Sequence, residues 1–170
     1  MLFQAFQELL GEKGFDQISV QDIAERSTLN RATFYDHFPD KFALLEAMIG
    51  ERFGMAIEAR MGDEEPTCDK SLRSLILAAC DFLNDLATGC DKHRRQFEPI
   101  TESCVRTILR ESILRGLEAR GAKNPGLKAT MVSWAITGAA IQGVREKKLS
   151  SEELADAVLP TILTALEAGG

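Results

Sequence analysis

The sequence predicts an all-α protein, with an N-terminal three-helix helix-turn-helix domain joined by a long helix to a C-terminal helical domain. Three observations lead there. Apolar residues recur at helical spacing from Leu2 to Leu166, and no strand-like alternation interrupts them. Two very short helical patterns flank the three residues Ser27-Thr28-Leu29. A third pattern runs unbroken from Lys41 to about Arg60. The domain boundary is placed at residues 48 and 49, inside that long helix.

The N-terminal elements follow in order. Leu2, Phe6, Leu9 and Leu10 mark a first helix over residues 2–13, with Gly14 as its expected stop. Ser19 can cap the next helix, with Asp22 three residues on as a capping-box partner. Val20, Ile23 and Ala24 give that helix one buried stripe. After the turn, Asn30 can cap a helix in which Phe34 and Phe38 share an inward face. Arg31, Ala32, Thr33, Tyr35, Asp36 and His37 are left to face outward or sideways. Pro39 ends that helix, and Asp40 can cap the long one, whose stripe is Phe42, Leu45, Ile49, Phe53 and Ile57.

The C-terminal elements are longer. Residues 62–66 read as a loop and residues 70–88 as a helix with a broad apolar face. Asp91 to Glu98 reads as a short charged surface segment ended by Pro99, and a further helix is expected from Thr101 to Arg120. Residues 123–126, Lys-Asn-Pro-Gly, read as a turn. The helix at about 127–147 is apolar nearly all round, so it should be buried on more than one side. The last helix starts at Ser150-Ser151-Glu152-Glu153 and should kink at Pro160, freeing the carbonyl of Asp156.

Composition sets bounds. A chain of 170 residues with 45% hydrophobic content can bury a real core. No apolar run approaches the ~18 residues of a membrane span, and no signal peptide is visible, so a cytoplasmic protein is expected. The net charge is −6, and residues 1–60 carry six Lys and Arg against ten Asp and Glu, a net −4. Any DNA contact must therefore come from a local basic face and be salt-sensitive. Cys68, Cys80, Cys90 and Cys104 are expected reduced and apolar in role. Cys90 and His93 form half of a zinc motif without a second pair, so neither metal nor cofactor is expected.

The stretch from Thr33 to Lys41 carries a resemblance. Thr33-Phe34-Tyr35-Asp36-His37-Phe38, followed by Lys41 and Leu44-Leu45, and preceded by Phe15 and the Val20/Ile23/Ala24 stripe, resembles the DNA-binding domain of TetR-type transcriptional regulators. The close match covers roughly residues 2–50. The resemblance implies that Tyr35, His37 and Lys41 grip phosphates while Arg31, Ala32, Thr33 and Asp36 approach base edges; Ser19 is counted with them in the DNA-binding set. The chemistry is compatible. A phenol, an imidazole and an ammonium donate to phosphate oxygen, Arg reads guanine, and a Thr methyl touches thymine. Two departures stand out: Thr28 occupies the turn where the family usually has glycine, and the chain begins with apolar Met1-Leu2-Phe3 where the family often has a basic arm.

The resulting expectation is a ligand-responsive regulator, a repressor released from a palindromic double-stranded operator by a small apolar effector. The last two helices would pair with their copies in a homodimer. Phe82, Phe97, Cys104, Ile108 and Trp134, with Thr107 or Arg106 as polar contacts, are the candidate effector lining. An enzyme is not expected, because His37 and His93 are distant in sequence and no nucleophile elbow or phosphate-cradling glycine loop is present. The alternative is a helical small-molecule-binding or interaction protein without DNA binding, for which the acidic N-terminal third speaks.

Overall fold

The computed structural model describes residues 1–61, 69–88, 91–146 and 148–167, with only the helical backbone at 87, 88 and 91–96. The loop expected at 62–66, Cys68, and the side chains of Cys90 and His93 lie outside the described residues. The described residues form eight α-helices and one 3₁₀ turn, and no strand. This is the all-α architecture, with an N-terminal helix-turn-helix, that the periodicity predicts.

Helix α1 (Leu2–Glu12) buries Ala5, Phe6 and Leu9. It does not use Gly14 as a left-handed stop. Lys13 is already extended, and Gly14, at φ −61, opens the 3₁₀ turn Phe15–Gln17. Burial of Phe15, 1% exposed, explains the difference: the chain folds back under α1 to bury this ring. Helix α2 (Val20–Arg26) starts at the expected capping box, with the Ser19 N–H and hydroxyl both donating to Asp22 and the Asp22 N–H donating to Ser19 Oγ. The turn into α3 (Arg31–His37) holds Thr28 at φ +60, a conformation that costs a β-branched residue roughly 1–2 kcal/mol. Asn30 Oδ1 accepts the Thr33 N–H at 2.8 Å and caps α3. Phe34 is fully buried, and Phe38 packs at 6.1 Å from it.

Helix α4 (Lys41–Met61) is capped by Asp40, whose Oδ1 accepts from the N–H groups of Phe42 and Ala43. Its front meets the N-terminal core through Phe42, 5.0 Å from Phe15. Its rear meets α5 (Asp69–Thr88), where Phe53 lies 5.0 Å from Phe82 and Arg60 pairs with Asp81.

Helix α6 is longer than expected, Asp91–Ala119, and absorbs the charged segment and Pro99 into one element. Packing outweighs the local signal: Phe97 and Thr101, on either side of the proline, are both drawn against other elements. Gly121, at φ +64, ends α6, with its N–H on the Glu118 carbonyl and that of Ala122 on the Leu117 carbonyl. Of the expected 123–126 turn, Lys123 and Asn124 do form a bend, with Asn124 at φ +52, while Pro125 and Gly126 already belong to α7 (Pro125–Glu146). Pro125 takes the first helical position, where its missing N–H costs nothing. Helix α8 (Ser151–Glu167) begins with a Ser150/Glu153 capping box and runs through Pro160, which is exposed. Helices α5 to α8 share an aliphatic core that includes Leu72, Ile76, Leu109, Ile136 and Ile162.

Candidate nucleic-acid interface

The outward face of α3 is built from the chain inward. Asn30 fixes where the helix begins, and buried Phe34 fixes which side faces the core. Arg31, Ala32, Tyr35 and Asp36, at i, i+1, i+4 and i+5, are then forced onto one exposed face, with His37 exposed beside them. Tyr35 is 47% exposed, and its hydroxyl accepts from the Arg31 guanidinium at 3.3 Å. Thr33 is half-buried and its hydroxyl donates to Asn30 Oδ1 at 3.1 Å. The face thus offers one guanidinium, one phenol and one imidazole, with the Asp36 carboxylate among them.

Two residues expected on DNA are committed elsewhere. The single hydroxyl proton of Ser19 is donated to Asp22 Oδ2 at 2.6 Å, so this residue is a helix cap and has no donor left for a phosphate. Lys41 turns inward. Its ammonium donates to the carbonyls of Phe15 and Ile18 at 2.8 Å each and of Asp16 at 3.4 Å, and lies 4.5 Å from the Phe15 ring centre.

The electrostatics are spare for a DNA reader. Lys13 pairs with Asp22 at 2.9 Å, and Arg26 grips Glu12 through two bonds of 2.9 and 2.8 Å. Ser19's hydroxyl and N–H, with Lys13, hold the Asp22 carboxyl well below the usual carboxylate range. Of the basic side chains in the first 60 residues, Arg31 is the one carried by α3.

Among the described residues, those expected to line the effector site meet different neighbours. Phe82 is core against Phe53, and Phe97 packs on Phe15 at 5.3 Å. Cys104 Sγ sits 3.9 Å from the Glu46 carbonyl, and Ile108 lies over Gly50. Thr107 is exposed, and Trp134 is 59% exposed with the Arg106 guanidinium 4.1 Å above its ring. The physical reason is shared: Phe97, Thr101, Cys104 and Ile108, spaced 4, 3 and 4 apart, form the face of α6 turned toward α4 and the N-terminal unit. A groove of about 290 Å³ lies elsewhere, between α5, α7 and α8, and is lined by Cys80, Asn84, Val144, Ser150, Ser151 and Leu154 among others. Burial, and then Asp81 and Glu152, push the Cys80 thiol up to about 12, so it enters that groove as a neutral, weakly polar group. These groove residues escaped the sequence reading because Ser150 and Ser151 look like helix caps and Cys80 like core. Each is also that.

Residues 3–48 match the family model described as bacterial regulatory proteins, tetR family. Over these residues the N-terminal domain is of the tetR type. An HTH-type transcriptional regulator of Bacillus subtilis, YxbF, is 45% identical over 49 residues, which make up 28% of this chain and 13% of that relative's length. Whole-chain likeness to solved TetR-type structures is in fold. The regulator FadR of Bacillus subtilis, solved with stearoyl-CoA, is 21% identical, with a TM-score of 0.54 and coverage of 96% of this chain and 97% of that one. The TetR-family repressor AlkX of a Dietzia species is 19% identical, with a TM-score of 0.55 and coverage of 98% and 96%. No helix among the described residues is long and apolar enough to cross a membrane.

Proposed function

We propose that this chain is a ligand-responsive DNA-binding regulator of the TetR family, acting as a repressor, with residues 1–48 reading DNA and residues 49–170 dimerising and binding an effector. The observation that carries the reading is the exposed α3 face. Arg31 reads a guanine edge, Ala32 and the Thr33 methyl lie on the groove floor, and Tyr35 and His37 donate to phosphates. Asp36 is accommodated where it accepts from a cytosine amino group, so it contributes selectivity more than affinity.

The dimer reading rests on α7. Leu127, Met131 and Trp134, at i, i+4 and i+7, are 63%, 54% and 59% exposed, an apolar stripe on a helix otherwise packed against α5, α6 and α8. A second copy applied there, with α8 alongside, closes a four-helix bundle and presents two α3 faces to a palindromic operator. The effector is small and mostly apolar; of the ligands bound by fold relatives, the stearoyl chain of the stearoyl-CoA held by FadR has that character. It acts by favouring one spacing of the reading heads over the other.

The test is a mobility shift on duplexes selected from a random pool by the wild-type protein. Arg31→Ala should weaken binding by about 1–3 kcal/mol and relax the preference at one base pair. The second reading, a helical binding protein without DNA affinity, is favoured by the −4 charge of the first 60 residues, by the surface ion pairs that engage Lys13 and Arg26, and by the inward turn of Lys41. It prevails if no duplex is enriched.

A further inference from the structure

We infer that the groove between α5, α7 and α8 is a binding site of its own, built for a small organic amine, an apolar body carrying one ammonium. The inference goes beyond the effector reading above and does not depend on DNA binding.

The first ground is the shape and place of the groove. It holds about 290 Å³ where three helices meet. α7 and α8 approach so closely there that a Cβ on Gly143 would lie 2.9 Å from Leu154 Cδ2. Ala140, Gly143 and Val144, at i, i+3 and i+4, form one apolar wall, and Leu149 and Leu154 another. Cys80 and Asn84 face it from α5, one turn apart, on the side away from Phe82, which packs on Phe53 of α4. On α7, Gly143 comes about two and a half turns after Trp134, so the groove opens on the opposite side of that helix from its exposed apolar stripe. A second copy seated on the stripe approaches from the other side.

The second ground is what the groove offers: acceptors and negative charge. Ser151 donates its one hydroxyl proton to Asp81 Oδ1 at 2.5 Å, so its oxygen meets a ligand as an acceptor. Asn84 is exposed and brings an amide oxygen. Cys80 is 4% exposed, lines the groove and has no hydrogen-bond partner among the described residues; its neutral thiol can accept weakly from an N–H. Asp81 and Glu152 both bear on that thiol, so the local potential is negative. Arg60 offsets Asp81, while Glu152, in the first turn of α8, has no ion pair among the described residues. The start of a helix ordinarily draws an anion. Here the Ser150 N–H donates to Glu153 at 2.8 Å, the Glu153 N–H donates to Ser150 Oγ at 3.2 Å, and the two glutamates offset the helix dipole. An ammonium therefore finds Ser151, Asn84 and Glu152, and the apolar walls take its carbon body. A carboxylate would meet Glu152 instead.

The test titrates phenethylamine, phenethyl alcohol and phenylacetate, which share one apolar body, into the full chain at neutral pH. Calorimetry reads affinity, and methyl chemical shifts place each probe. The amine should bind saturably, move the methyls of Val144, Leu149 and Leu154, and bind about tenfold or more tighter than phenylacetate, with the alcohol between them. Glu152→Gln should weaken the amine roughly two- to fivefold and leave the alcohol unchanged. Gly143→Ala, which pushes Leu154 into the groove, should weaken amine and alcohol alike by roughly threefold or more. Asn84→Lys, a change at an exposed position, sets an ammonium over the groove; it should weaken the amine roughly tenfold or more and phenylacetate not at all. That variant decides the matter if Gly143→Ala does not melt cooperatively. No saturable binding of the amine, phenylacetate bound as tightly as the amine, shifts confined to methyls outside the groove, or an amine affinity unchanged by Asn84→Lys overturns the inference. All readings are taken on the protein alone, so a failure to enrich any duplex sinks the DNA-binding reading and leaves the groove to be judged by its own result.

Discussion

The helix-turn-helix unit and the α5–α8 bundle are held together by different means. In the first, helices of seven residues are too short to persist alone, and each is started by a side chain that satisfies orphan backbone N–H groups: Ser19 with Asp22, then Asn30, with Asp40 doing the same for α4. Its core sets three fully buried rings, Phe6, Phe15 and Phe34, among aliphatic residues such as Ile18, Ile23 and Leu44. In the bundle the helices run from 17 to 29 residues, two of them pass through a proline, and the core is aliphatic. Short capped elements around rings fix a reading surface in one geometry. Long aliphatic helices can slide by fractions of a turn, which suits the effector-responsive role proposed for the bundle.

Four changes break or sharpen that contrast. The largest effect belongs to Phe34→Ala. Removing a fully buried ring from the small unit should cost about 3–5 kcal/mol and collapse it, read as loss of the cooperative melt of residues 1–48 by hydrogen exchange. Next is Trp134→Glu, which puts a charge on the exposed stripe of α7. Sedimentation should show the dimer constant weakened roughly tenfold or more, with helical content retained.

Smaller is Ser19→Ala, which should cost about 1 kcal/mol by undoing one helix start. The pH profile gives its signature. Asp22 has a lowered pKa in the folded chain, so its stabilising contribution is present above the unfolded value, near 3.9, and is lost as pH falls through the folded value. The gap between wild type and Asp22→Asn in chemical denaturation should therefore be full at pH 7 and close in strong acid. The smallest change acts in the opposite direction. Thr28→Gly relieves a β-branched residue at φ +60 and should raise stability by up to about 1 kcal/mol, partly offset by the entropy of glycine; a lower melting temperature would show that the turn depends on Thr28.

Legibility followed the same divide. Ser19, Asn30 and Asp40 announce their helices within three residues of sequence, and Phe34 and Phe38 announce the inward side of α3 by their spacing. What misled was local punctuation overridden at a distance. Pro99 and the 123–126 segment read as breaks, yet α6 runs through one and α7 begins inside the other. Lys41 and Ser19 read as surface donors, yet both are spent on their own fold. Phe97, Cys104 and Ile108 were legible as one apolar helical face, but such a face looks alike whether it meets a cavity or another helix.

The order of residues alone determined that the chain is helical, where its first four α-helices lie and which side of α3 stands outward, because capping and amphipathic spacing act over four residues or fewer. Only the tertiary structure decided what the outward-looking donors do. Whether an ammonium points to solvent or to three carbonyls some 25 residues earlier depends on how the chain folds back. So does the meeting of Phe97 with Phe15, two rings 82 positions apart that no local rule could pair.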